Sequence, residues 1–195
     1  MNPLKEKLSD IDVVLGTKSP RRHQLLKALD IPFTIITKEV EETYPDELEN
    51  EEIPIYLAEL KAAAFDGKLA DKQLLITCDT VVFLHGELIG KPKNEEDAKA
   101  MLNKLSDDTH VVISGVCLKS KGKQHSFYEK TRVHFNPLFP HEIDYYINQY
   151  HPLDKAGSYG IQEWIGYIGV NKIEGCYYNV MGLPLQRLYK ELLKF

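Results

Sequence analysis

Cysteine is scarce in this chain. Cys78, Cys117 and Cys176 are the only three, and their odd number and wide spacing exclude a disulfide framework and a zinc-ligand cluster. Reduced thiols in a cytoplasmic protein are the expectation. The histidines are equally scattered. His23, His85, His110, His125, His134, His141 and His151 form no close pair of metalloprotease type, so each is expected to be a surface or strand residue. Long apolar runs are missing, and no segment approaches the length that spans a bilayer. Residues 1–7 carry no apolar signal-peptide core. Positive charge is not in excess either. The formal net charge is -5, which argues against a broad nucleic-acid-binding face. Internal repeats and low-complexity linkers are also absent from the sequence.

What is present reads as an ordinary globular chain, 43% hydrophobic and 27% charged over 195 residues. That length suits one sizeable core, or two lobes sharing a sheet, and residues 1–195 are taken as a single domain. Apolar runs and turn signals predict a strand at Ile11–Leu15, a helix at about Pro20–Leu29 and a strand at Phe33–Thr37. An acidic loop over Lys38–Glu52 follows. A helix is expected from Ile53 to about Ala70. Leu74–Leu84 reads as one long strand interrupted at Thr77-Cys78-Asp79-Thr80, with a turn at His85-Gly86-Glu87 and a return strand at Leu88-Ile89. Asn94 is placed to cap a helix reaching about Leu105. Strands at about His110–Lys119 and Gln124–Phe135 flank the hairpin signal Ser120-Lys121-Gly122-Lys123. Pro140 opens a helix to about Tyr150. A turn-rich stretch over Pro152–Gly160, a strand at Tyr167–Ile173, a loop through Gly175 and Gly182, and a last helix from Pro184 complete the chain. Hairpins mixed with strand–helix–strand units imply a mixed sheet with helices on its faces, α/β or α+β.

The stretch Val13-Val14-Leu15-Gly16-Thr17-Lys18-Ser19-Pro20-Arg21-Arg22 concentrates chemistry. A strand passes through small polar residues into a helix whose start is marked by Ser19 as cap and Pro20 at the first position. Arg21 and Arg22 then fall in the first turn, where free N–H groups and the helix dipole already favour an anion. Two cations there are unfavourable unless something negative fills the site. A polyphosphate does so, since guanidinium forks match phosphate oxygens in pairs; the alternative is a solvated pair with carboxylate partners elsewhere. Asp79 sits in a run that predicts burial, where an ionised carboxylate is costly without cations. It reads as a metal ligand or as a general base for water, against the alternative of a carboxylate held by backbone N–H groups. Lys61 beside the apolar stripe of its helix, Lys91 on the stiff Gly90-Lys91-Pro92 turn, Glu42 in the acidic loop and the amide of Gln162 are individually weak signals. With Arg21, Arg22 and Asp79 they make a set that can bind a nucleoside triphosphate, hold a divalent cation and activate water, which on spacing alone reads as a phosphate-binding hydrolase.

The run Gly16-Thr17-Lys18-Ser19-Pro20-Arg21-Arg22 resembles the S-x-S-P-R-R signature of the Maf family of nucleoside triphosphate pyrophosphatases. The resemblance continues in order through Val40-Glu41-Glu42, Leu57-Ala58-Glu59-Leu60-Lys61-Ala62, Cys78-Asp79-Thr80-Val81-Val82, Gly90-Lys91-Pro92, Leu153–Gln162 and Val180-Met181-Gly182-Leu183-Pro184. Departures are small: Gly16-Thr17 stand where the family has Ala-Ser, and Cys78 replaces an alanine. The resemblance implies that Asp79 accepts the proton of the attacking water and that Thr17, Ser19, Arg21, Arg22, Lys61 and Lys91 bind the substrate. It implies that Glu42 and Asp79 hold a divalent metal, magnesium or manganese. Asp79-Thr80 together with Tyr159-Gly160-Ile161-Gln162 is similar to the branch that cleaves dTTP and UTP, with Arg22, Thr80 and Gln162 as specificity positions. The implied products are a nucleoside monophosphate and pyrophosphate. The implied fold is Maf/ITPase-like, an elongated mixed sheet with flanking helices and a cleft between two lobes, working as a cytoplasmic homodimer that touches neither nucleic acid nor membrane. A pyrophosphatase for 7-methyl-GTP or another modified nucleotide, and a nucleotide-binding regulator of septum formation without turnover, are the alternatives.

Overall fold

In the computed structural model, which describes residues 2–195, the chain runs α1 (Pro3–Lys7), β1 (Asp12–Leu15), α2 (Pro20–Lys27), β2 (Thr34–Ile35), α3 (Glu52–Ala63), β3 (Gln73–Leu84), β4 (Glu87–Ile89), α4 (Glu95–Leu105), β5 (Thr109–Ser120), β6 (Lys123–Phe135), α5 (Pro140–Tyr150), α6 (Trp164–Gly169), β7 (Val170–Glu174), α7 (Tyr177–Val180) and α8 (Leu185–Lys194). The strands form one mixed seven-stranded sheet in the order β2-β1-β3-β5-β6-β7, with β4 paired to β3. β1 runs parallel to both neighbours, Val14 opposite Thr34 and Leu75, whereas β4 and β7 pair antiparallel. The expected mixed α/β architecture with flanking helices is the one observed. The chain divides into two compact units. Unit 1 comprises the residues up to Thr80, Ser114–Glu129 and Gly182–Phe195; unit 2 comprises Val81–Ile113 and Lys130–Met181.

In unit 1 the docking of α3 on the sheet is unusually close. A Cβ built on Gly115 of β5 would lie 2.2 Å from the backbone carbonyl carbon and oxygen of Pro54, so only glycine admits the helix there. The Thr77 hydroxyl, fully buried on β3, donates to the Ala58 carbonyl at 2.6 Å. Val14, Leu75 and Cys117 from three strands then pack with Ala58, Ala62 and Phe65. In unit 2 the core gathers Val82, Leu102, Leu105, Ile143, Tyr146, Tyr159 and Ile165.

Several elements differ from expectation. β3 is continuous through Thr77–Thr80 because the polar groups of that stretch find partners inside the fold, as Thr77 does. α3 stops at Ala63 rather than near Ala70: Phe65 turns into the core, Gly67 takes a φ of +70°, and Lys38 Nζ donates to the Ala64 carbonyl at 2.9 Å. The strand expected over Tyr167–Ile173 is helical up to Gly169 and strand only from Val170. A Cβ on Gly166 would stand 1.9 Å from the Ile161 carbonyl oxygen, so this turn is seated directly on the preceding chain. The second strand contracts to Thr34–Ile35. Two short helices, α1 capped by Asn2 and α7 inside the expected loop, were not legible in the pattern. The remaining helices and hairpins fall within a few residues of the expectation, including Asn94 accepting from the Asp97 N–H and the left-handed pair His85-Gly86.

Candidate active site

The turn between β1 and α2 is organised by its own hydroxyls. Thr17 Oγ1 accepts the Ser19 N–H at 3.2 Å, and Ser19 Oγ caps α2 by accepting the Arg22 N–H at 3.5 Å. His23 Nε2 lies 2.8 Å from the Thr17 carbonyl, so this histidine is a brace on a helix rather than the surface or strand residue expected. Arg21 is half-buried in the first helical turn.

Arg22 reaches back to the sheet. Its Nη1 donates to the Cys78 carbonyl at 2.8 Å and to Thr17 Oγ1 at 3.5 Å, its Nη2 to Thr80 Oγ1 at 3.0 Å, and its Nε to the Gly182 carbonyl at 2.8 Å. One guanidinium thereby joins the turn, β3 and the segment entering α8. Gly182 has a φ of +111°, which turns its carbonyl inward to accept also from Cys78 Sγ at 3.3 Å and from Thr80 Oγ1 at 3.3 Å. Thr80 Oγ1 further shares a hydrogen bond of 2.8 Å with Ser114 Oγ. Neither Gly182 nor Ser114 was singled out as a site residue. The Val180-Met181-Gly182-Leu183-Pro184 segment of the family resemblance was the available signal for the former, and nothing marks the latter. Burial pushes the Cys78 thiol pKa up, against the pull of the nearby Arg22 and Lys61 cations, so the sulfur stays protonated and acts as a small hydrogen-bonding filler.

One residue beyond Cys78, Asp79 is 8% exposed, as its apolar surroundings predicted. Its Oδ1 lies 2.5 Å from Lys61 Nζ, and the same ammonium lies 2.9 Å from Glu42 Oε1. Lys61 is therefore a half-buried cation shared by two carboxylates, one from a strand and one from the acidic loop. That arrangement offsets the desolvation of Asp79 and holds two hard oxygen donors within reach of a single ion. No cluster of three or more acidic, histidine or cysteine side chains capable of holding a metal occurs among the described residues. Two carboxylates still fit magnesium or manganese, which take one or two protein carboxylates and complete their shell with substrate phosphates and water.

Thr17, Ser19, Arg22 and Thr80 are thus brought together through Arg22, and Glu42, Lys61 and Asp79 through Lys61. Cys78-Asp79-Thr80 links the two groups along one strand. Lys91 and Gln162 belong to unit 2. Lys91 is exposed just after β4, on a turn whose Gly90 carbonyl accepts the Gly157 N–H at 3.0 Å. Gln162 is half-buried before α6; its backbone carbonyl accepts the Tyr167 hydroxyl at 2.7 Å.

The whole region from β1 onward, residues 12–195, matches the family model described as Maf-like protein. The chain is 55% identical over 190 residues to the dTTP/UTP pyrophosphatase of Phocaeicola vulgatus, covering 97% of this chain and 98% of that one. It is 50% identical to the dTTP/UTP pyrophosphatase of Parabacteroides distasonis, over 97% and 99% of the two chains. Among solved structures, the Staphylococcus aureus Ham1 protein matches at 19% identity with a TM-score of 0.43, over 64% of this chain and 71% of that one. With the Ser-Pro-Arg-Arg turn, the carboxylate pair and the Gly182 loop all inside the matched region, the chain belongs to the Maf family.

Proposed function

We propose that this protein is a nucleoside triphosphate pyrophosphatase that hydrolyses dTTP and UTP to the monophosphate and pyrophosphate, clearing surplus or modified pyrimidine nucleotides. The observation that carries the reading is the pairing of Asp79 and Glu42 on Lys61, next to the Arg22-bound turn. The names of relatives at 50% identity and above support the substrate assignment.

In this reading Asp79 accepts a proton from the water that attacks the α-phosphorus, a role that needs an ionised carboxylate at a fixed position. Glu42 and Asp79 hold magnesium or manganese, which when bound polarises the α-phosphate. Lys61, already shared between the two acids, adds its charge to the neutralisation of the phosphates. Arg21 and Lys91 neutralise the phosphates, Arg22 adds its charge while holding the turn, and Thr17 and Ser19 offer hydroxyls to phosphate oxygens. Such preorganised donors act most strongly where charge gathers on the departing pyrophosphate. Thr80, Arg22 and Gln162 bear on base choice. The chain acts as a homodimer in the cytoplasm, a placement in keeping with its free thiols and with the lack, among the described residues, of a helix long and apolar enough to cross a membrane.

The test is pyrophosphate release over a panel of nucleoside triphosphates with magnesium or manganese. The expected result is turnover fastest on dTTP and UTP. Absence of turnover on both, with either metal, refutes the proposal.

A further inference from the structure

Two contacts tie α3 to β3 side by side, and the proposed chemistry uses only one of them. Asp79 takes the Lys61 ammonium at 2.5 Å. Two residues earlier on the strand, the Thr77 hydroxyl donates to the carbonyl of Ala58, three residues before Lys61 on the helix, at 2.6 Å. Residues i and i+2 of a strand share a face, as do i and i+3 of a helix. The Thr77–Ala58 bond is therefore a fixed point beside the Lys61–Asp79 pair, on the same two faces. Thr77 has no exposed surface, so its hydroxyl cannot trade this partner for water and the bond resists any slide of the helix. A lysine ammonium on its flexible stem imposes no such register. The other ties of α3 fall on β5 and β6: Gly115 under Pro54, and Ser126 Oγ donating to Glu59 Oε1 at 2.6 Å.

The methyl of Thr77 is held independently. A Cβ built on Gly16, just after β1, would stand 2.8 Å from Thr77 Cγ2 and 3.2 Å from Leu75 Cδ1. The Gly16 N–H donates to the Ile76 carbonyl at 2.8 Å, which presses the turn against the strand. Gly16 is not among the residues with positive φ, so the bare position serves the threonine rather than the turn. It is also a position where this chain departs from the Maf pattern, which has alanine there. With its methyl over Gly16 and its hydroxyl on α3, a β-branched side chain has one rotamer left.

We infer that Thr77 is a positioning residue: seated on Gly16 by its methyl and bonded to Ala58 by its hydroxyl, it sets the register of α3 on β3 so that the Lys61 ammonium is held on Asp79. The inference rests on the proposed pyrophosphatase reading, in which Asp79 takes the proton and Lys61 neutralises phosphate charge. Loss of the hydroxyl lets the helix shift and misplaces both groups for the chemical step. The turn between β1 and α2 keeps its own hydrogen bonds, so nucleotide binding is affected far less.

The experiment measures kcat and KM on UTP with magnesium in the full-length protein, in Thr77→Val and in Thr77→Ser. The first variant keeps the methyl and loses the hydroxyl; the second does the reverse. Thr77→Val is expected to lower kcat by about tenfold with KM within about twofold of wild type, and Thr77→Ser to keep most of kcat. A merely structural role would lower stability alone, and combination with Lys61→Met separates the two cases. In the Lys61→Met background Thr77→Val should cost no further kcat, because the pair it positions is already gone. A folded Thr77→Val with wild-type kcat, or losses that multiply when the two are combined, overturns the inference. If Thr77→Val does not fold, Gly16→Ala decides. It should lower kcat by displacing the Thr77 methyl, and adding Thr77→Ser should restore it; equal kcat with and without Thr77→Ser overturns the inference. A wild-type protein inactive on UTP and dTTP refutes the proposed function instead. The urea midpoints of Thr77→Val, Lys61→Met and their combination then decide, and strictly additive losses overturn the inference.

Discussion

Acidification should destabilise this protein through one buried imidazole, His110. The residue lies on β5 with no exposed surface. Its Nε2 is 2.6 Å from the Tyr159 hydroxyl, its Nδ1 has no partner among the described residues, and the rings of Phe135 and Tyr159 stand edge-on at about 5 Å. Such surroundings disfavour a charged ring. Burial is the main cause and brings the His110 pKa from 6.5 down to about 4. Between those values the unfolded chain binds a proton that the folded chain refuses. The neutral ring's contribution is therefore complete above pH 6.5 and is lost progressively as the pH falls towards 4. A depression of that size corresponds to about 3 kcal/mol, a large share of the stability of an ordinary domain. Urea unfolding measured from pH 7 to pH 4 in wild type and in His110→Leu isolates the effect. The variant loses the Tyr159 hydrogen bond at every pH, so only the pH slope matters. Asp108, whose pKa is lowered by the His85 contact, titrates below this window and is common to both proteins. Equal slopes in the two proteins between pH 6.5 and 4 would refute the assignment.

Three further outcomes follow from the site. Asp79→Asn preserves shape but removes the proposed proton acceptor, so kcat should fall by about 10²–10⁴-fold with nucleotide binding retained in calorimetry; a kcat equal to wild type excludes Asp79 as the base. Arg22→Lys cannot reproduce a fork that serves the Cys78 and Gly182 carbonyls and Thr80 at once. It should lower stability by about 1–3 kcal/mol and kcat/KM with it, and an unaltered melting temperature would show the contacts to be dispensable. Gly115→Ala sets a methyl group against the Pro54 backbone, at a cost of about 1–3 kcal/mol, and shifts the helix that carries Lys61; thermal unfolding and kcat should both respond, and a variant with native values of each would show that α3 can yield.

Local signals account for most of the secondary structure. Ser19-Pro20, Asn94, His85-Gly86 and the Lys121-Gly122 turn carry their conformations in their own chemistry: a capping oxygen, a missing N–H, a tolerance of positive φ. They were legible because the energies involved act within four or five residues. The strand–helix boundary at Gly169–Val170 was not legible, since it depends on Gly166 resting against Ile161. The same holds for the helix end at Ala63, which depends on Phe65 finding Val14 and Leu75.

For the site, residue types indicated which side chains needed partners but not which partners they find. A buried aspartate in an apolar strand had to find a cation or a set of backbone N–H groups, and sequence alone determined that requirement, because an unpaired carboxylate in such a run is too costly to keep. Which cation answers it was decided by tertiary structure: α3 seats against Gly115 and delivers Lys61 to both Asp79 and Glu42. Likewise, two arginines at a helix start raised the expectation of an anion, yet nothing in their spacing says that Arg22 spends its N–H groups on the backbone of β3 and on Gly182, 160 residues away. Propensity and capping are short-range and readable in order along the chain; hydrogen bonds between distant segments depend on how the whole sheet and its helices pack.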